Sequence, residues 1–383
     1  MTIETTTAPT TRTTDWVGTA KTLSDDFAKR AAAHDADATF VAENYAAMRA
    51  AKIFSAPIPA ELGGGGATYA EHGAMIRTIA RGCGSTALAY SMHSHLLQAL
   101  IWRHRHNATP PAEPLLRRIA KEELVLVSSG GSDWLEGSGT LTKQEDGNYR
   151  FTARKVFGSG SPSGDLLLTT GVYEDPEKGP TVFHFGVSLK DPGVKVLDNW
   201  LTLGMRGTGS NDITIENVAV ADAGVSVRRP RGAWHRFFDV ITPIAWPLIY
   251  SAYVGVAENA HDIALAMAQK RKDDTTTQDA VGEMRTQLLI AQETLERMTA
   301  VGAAEYEPSL ALSELTYRRK TVLAKAALRA VELAMEVASG PGFYRAAGLE
   351  RCFRDIQGAR YHPWQERRQY RFSGRVALGL DPV

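Results

Sequence analysis

The first part of the chain has apolar residues at the spacing of amphipathic helices. The pattern covers residues 16–52 and returns from Tyr69 to Lys121, and burial of one face of each helix explains such a repeat. Pro57, Pro59 and four consecutive glycines at 63–66 interrupt it and predict a loop. A phosphate-binding loop is the alternative for the glycine run, although no Lys-Ser/Thr pair follows it. We predict a helical domain over residues 15–121.

Residues 122–227 have a different pattern, made of short β-branched or alternating runs. Turn sequences such as Asp146-Gly147 and Asp191-Pro192-Gly193 separate the runs. The pattern predicts a small antiparallel β domain, either a barrel or a sandwich. The predicted strands lie within Leu124–Val127, Asn148–Thr152, Leu166–Thr170, Val182–Val187 and Ile213–Ile215.

The chain returns to helical spacing after Arg228, and residues 228–383 are predicted to form a helical bundle. The segments Ile244–Lys272, Val281–Glu305 and Ser313–Ala338 are each long enough to cross a small domain. Long helices with short connections pack as bundles. The predicted fold class is therefore α+β, with an N-terminal helical domain, a middle antiparallel β domain and a C-terminal helical bundle.

Two segments bear on targeting and membranes. Residues 1–14 are rich in Thr and have no apolar core, so they predict a disordered tail and not a signal peptide. The uncharged stretch between Asp239 and Glu258 is marginal in length for a bilayer span and contains Pro243 and Pro247, so it predicts a buried helix. We therefore expect a soluble, cytoplasmic protein with no membrane partner.

Composition narrows the functional classes further. The 383 residues include 43 Lys+Arg and 43 Asp+Glu, so the formal net charge is zero and gives no reason to expect a nucleic-acid partner. The two cysteines, Cys83 and Cys352, suit a reducing compartment and are too few for a disulfide framework.

The histidines do not predict a metal site. His93 and His95 are two positions apart, as are His104 and His106. On a helix, side chains at i and i+2 point to different sides, so neither pair is placed to chelate a metal. Nucleophile-elbow and dinucleotide-binding motifs are also absent from the sequence.

Three segments of the β region are dense in small polar residues. They are 128–134, 157–161 and 204–210, and each contains glycine and hydroxyl side chains. Short side chains let backbone N–H groups and hydroxyls approach a planar or phosphorylated ligand closely. The alternative is that these segments are only turns.

These segments, in an α-β-α order, resemble the acyl-CoA dehydrogenase superfamily. The similar features are the Gly-Ser-Asp turn at 131–133, the Lys155-x-Phe157-x-Ser159 turn, the Leu-Gly-Met-Arg-Gly-Thr-Gly-Ser segment at 203–210 and the Leu-Glu-Arg-Cys-Phe-Arg-Asp run at 349–355. The resemblance implies a flavin at the junction between the β domain and the bundle, and a homotetramer.

The resemblance also implies which residues contact the flavin. Phe157, Gly158 and Ser159 match the tripeptide that lies against the isoalloxazine ring, with the Ser159 hydroxyl near N5, where electrons and a proton come and go. The other implied flavin contacts are Ser128, Ser129, Gly131, Ser132, Arg271, Gly340, Gly342 and Phe343.

The sequence departs from the dehydrogenase pattern at the catalytic base. The carboxylate that would abstract the substrate α-proton is replaced by Pro363 and, at the alternative position, by a residue near Ala245. Glu366 could act as a displaced base only after a local rearrangement. The segments that hold the adenine end of FAD, at 269–274 and 339–343, are altered too, which favours FMN or an exchangeable flavin.

A histidine in the base segment makes the chain most similar to the dibenzothiophene monooxygenase-like branch of two-component flavin-dependent monooxygenases. In that branch a separate reductase delivers reduced flavin (FMN or FAD), O2 adds at C4a, and the hydroperoxide oxidises a small, largely apolar substrate. The resemblance implies catalytic roles for His362 and Ser159, since an unperturbed imidazole exchanges protons near pH ~6.5. The residues expected at the substrate cavity are His93, His95, Trp134, Trp246, Tyr250 and Tyr253.

Two alternatives to the monooxygenase stay open. The first is an FAD-dependent acyl-CoA dehydrogenase or oxidase that uses Glu366 as a displaced base. The second is a non-catalytic scaffold that keeps the fold without turnover. The hydroxyl-rich turns argue against the scaffold, because a scaffold has no need of them.

Overall fold

The structure is a computed structural model that describes residues 14–129 and 131–383. The predicted tail at 1–14 lies outside the described residues, apart from Thr14, and so do Gly130 and the side chain of Ser132. Within the described residues the chain forms helices, then a sheet, then helices, which confirms the predicted α+β fold class.

Five helices form the N-terminal part, as the apolar spacing predicts. Side-chain caps begin two of them: Asp15 accepts a hydrogen bond from the Gly18 amide at 2.9 Å, and Thr68 forms a capping box with Glu71. The helices are α1 (Trp16–Asp37), α2 (Ala42–Ala50), α3 (Tyr69–Gly82), α4 (Gly84–Arg105) and α5 (Glu113–Glu122).

The glycine run between α2 and α3 is explained by close packing. A Cβ atom at Gly64 would lie 2.3 Å from Ile58, and one at Gly65 would lie 2.2 Å from the Trp16 ring. The Trp16 indole N–H also donates to the Gly65 carbonyl at 3.2 Å. The glycines therefore let the loop fold back onto α1, and the phosphate-binding alternative gains no support.

The middle region forms one eight-stranded sheet. The strands are β1 (Leu126–Ser128), β2 (Thr140–Lys143), β3 (Tyr149–Gly158), β4 (Leu166–Asp175), β5 (Gly179–Ser188), β6 (Val194–Val196), β7 (Asn211–Val220) and β8 (Val227–Pro230). They pair in the order β6-β7-β3-β2-β4-β5-β8, and β1 pairs with β4. All five predicted runs fall on strands, whereas the short strands β2, β6 and β8 were not predicted.

The prediction of a purely antiparallel sheet is wrong. β1 runs parallel to β4, with Leu126 opposite Leu166, and β2 pairs parallel with β4 at Thr140 and Val172. A parallel pair needs a long connection between its strands, and the β2–β3 hairpin lies between β1 and β4 and supplies it. The sheet is therefore mixed.

The C-terminal part contains three long helices and two short ones. They are α6 (Arg236–Ala268), α7 (Thr275–Ala303), α8 (Leu310–Ala338), α9 (Leu349–Ile356) and α10 (Glu366–Ala377). α6 begins eight residues before its predicted start, because it accommodates Pro243 and Pro247 inside the helix. It is long and apolar enough to cross a membrane, but 94% of its most apolar window is buried inside the protein, as expected of a core helix.

α6 is the element around which the helical parts meet. It packs against α3 and α4 from the N-terminal helices and against α7, α8 and α9 from the bundle. One continuous apolar core joins these helices, while the sheet has a separate core that includes Phe151, Leu167 and Ile213. The candidate site lies where the turn after β1 meets the segment between α9 and α10, next to α6 and α8.

Candidate functional site

The predicted flavin-contacting turn follows β1 and meets the histidine segment. Ser128 ends the strand, and the Ser129 amide donates to the Leu168 carbonyl at 3.4 Å. Gly131 begins a 3₁₀ turn, and a Cβ atom there would lie 2.8 Å from the Pro363 ring. The turn and the residue after His362 are therefore in close contact, which only glycine permits.

A buried ion pair fixes this turn against the end of β3. The Lys155 Nζ is fully buried and donates to a carboxylate oxygen of Asp133 at 2.6 Å and to the Ser138 carbonyl at 2.8 Å. The Ser138 hydroxyl donates to the other oxygen of Asp133 at 2.7 Å. Burial lowers the pKa of Lys155, and Asp133 opposes that shift. The pair explains physically why the Gly-Ser-Asp and Lys-x-Phe-x-Ser segments occur together.

Phe157 presents an aromatic face at the end of β3. Its φ of +60° lies in the left-handed region, and its side chain is 52% exposed. It packs edge-on against Trp200, with the ring centroids 5.9 Å apart. An exposed ring on a strained backbone points to a functional constraint, because such a conformation persists only where its surroundings enforce it.

Beside this ring, three hydroxyls form a directed hydrogen-bond chain. Thr208 Oγ1 donates to the Met205 carbonyl at 2.9 Å, so its oxygen accepts from Ser210 at 2.7 Å. Ser210 has then used its proton and accepts from Ser159 at 2.7 Å. The Ser159 proton is therefore engaged in the chain, and its oxygen lone pairs remain available to a donor.

The segment that carries Thr208 and Ser210 is held by the run at 349–355. The Met205 amide donates to the buried carboxylate of Asp355, and a Cβ atom at Gly204 would lie 2.2 Å from the Arg354 carbonyl. Arg354 is itself paired with Asp35 and Glu350. Burial raises the pKa of Asp355 to about 6. These contacts explain why the two motifs occur in one chain.

His362 lies between the sheet ends and α6. Its Nε2 is 2.6 Å from the Tyr253 hydroxyl, and its ring centroid is 6.1 Å from that of Tyr250. Burial, together with electrostatic effects of Lys320 and His95, lowers the pKa of His362 to about 3. The imidazole is therefore neutral at neutral pH.

Lys320 on α8 is a site residue that the sequence reasoning missed. It is 3% exposed, and its Nζ donates to the His362 carbonyl at 3.0 Å and to the Trp364 carbonyl at 2.6 Å. Burial lowers the pKa of Lys320 to about 7. The available signal was its spacing, because Lys320 shares a helical stripe with the buried residues Tyr317 and Ala324.

The predicted aromatic wall is gathered at this place. Trp134 packs on Trp246 with the ring centroids 5.6 Å apart, and Tyr250 and Tyr253 pack on each other at 5.5 Å. Trp246, Tyr250 and Tyr253 are almost completely buried, and the Tyr250 hydroxyl donates to the Ala359 carbonyl at 2.8 Å. These aromatic side chains therefore pack against the segment that contains His362.

The two histidines predicted for the substrate cavity have different roles. His93 is fully buried, its Nε2 lies 2.9 Å from the Phe54 carbonyl, and its Nδ1 accepts from the Leu126 amide at 3.0 Å. Both nitrogens are thus engaged with backbone, so His93 joins α4 to β1 and is not free to bind a substrate. His95 keeps one bond, to the Ser91 carbonyl at 3.1 Å.

The four predicted anchors for the far end of the flavin lie together at a distance from His362. Arg271 donates to the Val337 carbonyl at the end of α8, and the 3₁₀ turn Gly340–Phe343 follows directly. Val337 and Lys320 are seventeen residues apart on α8, which is about 25 Å along the helix axis. Phe343 is 81% exposed. Within a single copy of the protein, Arg271 and the turn at 340–343 are therefore distant from the residues predicted to contact the flavin ring.

The described carboxylates near the base segment are bonded elsewhere. Glu366, at the start of α10, accepts from Lys325 at 3.1 Å and from the Tyr370 hydroxyl at 2.6 Å. Tyr370 and Lys325 also lower the pKa of Glu366. Ala245 is buried and carries no proton acceptor. Within the described ranges, no group of three or more His, Cys, Asp or Glu side chains is placed to hold a metal ion.

The residues at this junction fit an isoalloxazine ring. Phe157 offers a half-exposed flat apolar face, and Ser159 beside it offers an oxygen that can only accept, owing to the hydroxyl chain. A reduced isoalloxazine has an apolar ring surface and an N–H donor at N5, which matches this pair of groups.

The chain matches two models of one family. Residues 18–108 match the acyl-CoA dehydrogenase N-terminal domain, and residues 248–366 match the acyl-CoA dehydrogenase C-terminal domain. The two matches together cover more than half of the chain. The matched residues include helices that precede the sheet in the sequence, helices that follow it, and the segment that contains His362.

Individual relatives extend over nearly the whole chain. A putative acyl-CoA dehydrogenase of Bacillus subtilis is 26% identical, with 91% of this chain and 92% of the relative covered. A dibenzothiophene monooxygenase of Mycolicibacterium goodii is also 26% identical, over 94% and 93%. The FMN-bound crystal structure of TdsC from Paenibacillus sp. A11-2 superposes with a TM-score of 0.83 at 20% identity, covering 96% and 99%. The predicted family is confirmed: this chain belongs to the acyl-CoA dehydrogenase superfamily of flavin-dependent oxidoreductases.

Proposed function

We propose that this protein is the oxygenase of a two-component flavin-dependent monooxygenase that oxidises a small, largely apolar substrate with reduced FMN and O2. The observation that carries the proposal is the base segment, where Pro363 stands in place of the carboxylate and the neighbouring, partly buried His362 imidazole is neutral. Dehydrogenation needs a proton acceptor within hydrogen-bond reach of the substrate α-carbon. Pro363 and Ala245 provide none, and Glu366 is engaged at the surface with Lys325.

The contact with Tyr253 assigns the proton of His362. Burial raises the pKa of the Tyr253 hydroxyl, which therefore keeps its proton and needs an acceptor. Among the described residues its partner is Nε2 of His362. If Nε2 carried the proton, it would donate to the Tyr253 oxygen and leave the buried phenol proton without an acceptor, at a cost of about 1–3 kcal/mol. The imidazole proton is therefore on Nδ1, which has no partner within the described residues. We propose that this N–H donates to the oxygen that leaves or is transferred.

Ser159 is proposed to hold the reduced cofactor. When bound, the flavin supplies activation of O2 at C4a, and its reduced form carries a proton on N5 that an acceptor can bind. The hydroxyl chain to Ser210 leaves Ser159 as such an acceptor. Phe157 would cover one face of the ring, and Ser128, Ser129, Gly131 and Ser132 would border it. Trp134 and His95 are proposed to line the substrate cavity together with Tyr250 and Tyr253.

The separation of the anchors supports FMN and an assembly of copies. Arg271 and the turn at 340–343 lie about 25 Å along α8 from Lys320, too far to grip the same short cofactor. We propose a homotetramer, in the cytoplasm, in which the exposed Phe343 and its neighbours meet another copy, and a separate reductase that supplies the reduced flavin. The exposure of Phe343 and Leu201, both 81%, supports contacts between copies.

An acyl-CoA dehydrogenase with Glu366 as displaced base is the alternative, and the Bacillus subtilis relative favours it. The two functions make opposite demands on the chain. A dehydrogenase needs Glu366 to leave Lys325 and Tyr370, whereas a monooxygenase needs His362 and makes no use of Glu366.

The test combines one reaction with two variants. Protein and photoreduced FMN are mixed with O2 and either dibenzothiophene or indole, and oxidised product and H2O2 are both quantified. We expect product from the wild type, and for His362→Ala a loss of product with a matching rise in H2O2 and unchanged FMN affinity. Glu366→Gln is the matched control and should behave as the wild type. Anaerobic bleaching of bound flavin by an acyl-CoA thioester, abolished in Glu366→Gln, would overturn the proposal.

A further inference from the structure

Lys320 is a buried cation for which the structure gives no carboxylate partner among the described residues. Its Nζ donates to two carbonyl oxygens, those of His362 and Trp364, and lies 5.1 Å from the Trp246 ring centroid and 5.8 Å from that of Tyr250. Carbonyl dipoles and aromatic faces stabilise a cation less than a carboxylate does. Such a costly arrangement points to a role beyond stability.

We propose that Lys320 is the positioning residue of His362: its ammonium clamps both ends of the segment His362–Trp364, and its charge fixes the proton-donating state of the imidazole. This inference rests on the proposed function for its catalytic meaning, but the clamp itself does not. The two bonds span three residues, so they hold the main chain on either side of Pro363. Because Pro363 touches Gly131, the clamp also sets the spacing between the His362 ring and the turn after β1.

The charge acts through a short distance and little solvent. Lys320 is bonded to the backbone of His362 itself, and its positive charge opposes a second positive charge on the imidazole. Burial is the larger cause of the neutral ring, and the Lys320 charge adds to it, so the imidazole donates one proton without taking up another. Lys320 is not a catalytic residue in this account, because it bonds to the backbone of the segment and not to the reacting atoms.

Titratable groups on three neighbouring helices face the pair. From α6, Tyr253 and Tyr250 are buried phenols that stay neutral, because burial raises the pKa of both. From α4, His95 is neutral because burial lowers its pKa to about 4. From α9, Asp355 acts on Tyr253 and is bonded to the Met205 amide. Two charges near the pair therefore change close to neutral pH: that of Asp355, whose pKa burial raises to about 6, and that of Lys320, whose pKa burial lowers to about 7. The Lys320 variants separate the second from the first.

The first test needs no activity. The His362 Cε1–H resonance of the cofactor-free protein, assigned by its loss in His362→Gln, is followed between pH 6 and 9. We expect a small inflection near pH 7 that reports Lys320, and its disappearance in Lys320→Met and in Lys320→Arg, since arginine stays charged over this range. A resonance that does not move in the wild type, or one that moves identically in both variants, would overturn the proposal.

The second test uses turnover and separates this inference from the proposed function. The ratio of product to H2O2 should fall in the wild type as pH rises through about 7, as Lys320 loses its charge. It should be reduced about tenfold at all pH values in Lys320→Met and remain independent of pH in Lys320→Arg. A wild type that forms no product rejects the monooxygenase while the resonance test still stands. Product formation with an unchanged pH profile in both variants rejects the role of Lys320.

Discussion

Two buried lysines, one on each side of the candidate site, differ in what neutralises them. Lys155 on the sheet side is paired with Asp133 at 2.6 Å and bonded to Ser138. Lys320 on the helical side bonds to the carbonyls of His362 and Trp364, and no carboxylate pairs with it in the part of the chain that the structure describes. Both are almost fully buried, and burial lowers the pKa of both. The Asp133 carboxylate compensates the charge of Lys155, and the pair fixes the turn against β3. The charge of Lys320 lacks such compensation among the described residues and therefore acts on the His362 imidazole.

The difference between the two lysines suggests that the two sides of the site respond differently to pH. On the sheet side, neutral hydroxyls and a closed ion pair fix geometry without depending on pH. On the helical side, several groups are held in an uncharged or weakly compensated state by burial. We therefore expect pH to affect the helical side first, and expect substitutions on the sheet side to affect stability more than protonation.

The largest expected effect is acid unfolding, to which the buried neutral histidines of the helical part contribute. Burial lowers the pKa of His72 to about 3 and that of His93 to about 4. The unfolded chain binds protons at these residues below pH ~6.5 while the folded chain does not, so stability falls as pH drops from 6.5 toward 4. Each residue contributes a loss of about 3 kcal/mol at pH 4. Urea unfolding monitored between pH 7 and 4 measures this loss.

A matched pair of variants assigns the acid effect. His93→Gln keeps a donor and an acceptor for Phe54 and Leu126 but cannot be protonated, so about 3 kcal/mol of the pH dependence should disappear. His106, on the exposed end of α4, is the control, and His106→Gln should leave the profile unchanged. Equal profiles for both variants would contradict the view that buried neutral histidines cause the acid sensitivity.

The next effect is the loss of the sheet-side ion pair. Lys155→Met leaves the Asp133 carboxylate buried opposite an apolar side chain, which costs about 3–5 kcal/mol in the free energy of unfolding. Lys320→Met should cost less, about 1–2 kcal/mol, because it leaves two carbonyls without a donor but no unpaired charge. Urea unfolding at pH 7 compares the two. If Lys320→Met lowered the free energy of unfolding more than Lys155→Met, the proposed difference between the paired and the unpaired lysine would be wrong.

A third variant sharpens that comparison. Lys155→Met combined with Asp133→Asn removes the buried negative charge that Lys155 compensates in the wild type, so part of the lost stability should return. No second substitution of this kind can restore stability to Lys320→Met, since the described residues give Lys320 no carboxylate partner that could be neutralised. A double variant no more stable than Lys155→Met would indicate that the lysine acts through its bond to Ser138 and not through its charge.

The sequence predicted the elements better than the interactions between them. Helical and alternating spacing identified the long helices and five strands, and the short motifs located the turns that carry Ser159 and His362, because motifs report local turns. Sequence could not show that β1 runs parallel to β4, since strand direction is decided by connections between distant residues. It also could not show that both nitrogens of His93 are engaged with Phe54 and Leu126. Lys320 had a signal, as a lysine within an apolar stripe, but the stripe does not reveal its partners.

The smallest effect concerns the hydroxyl chain, and it tests the direction of the hydrogen bonds. Ser159 can only accept because Ser210 receives its proton and passes the bond to Thr208. In Ser210→Ala, Ser159 becomes free to donate as well, and its preference for a reduced ring, which offers an N–H at N5, over an oxidised ring, which accepts there, should weaken. One hydrogen bond of about 1 kcal/mol corresponds to roughly a fivefold change in relative affinity. Comparing the dissociation constants of oxidised and reduced FMN in the wild type and the variant measures this change.

Ser163→Ala, at a serine that is not part of the hydroxyl chain, is the control and should leave both dissociation constants unchanged. A variant in which both constants change by the same factor would mean that Ser210 only supports packing, and that the direction of the chain does not select the redox state.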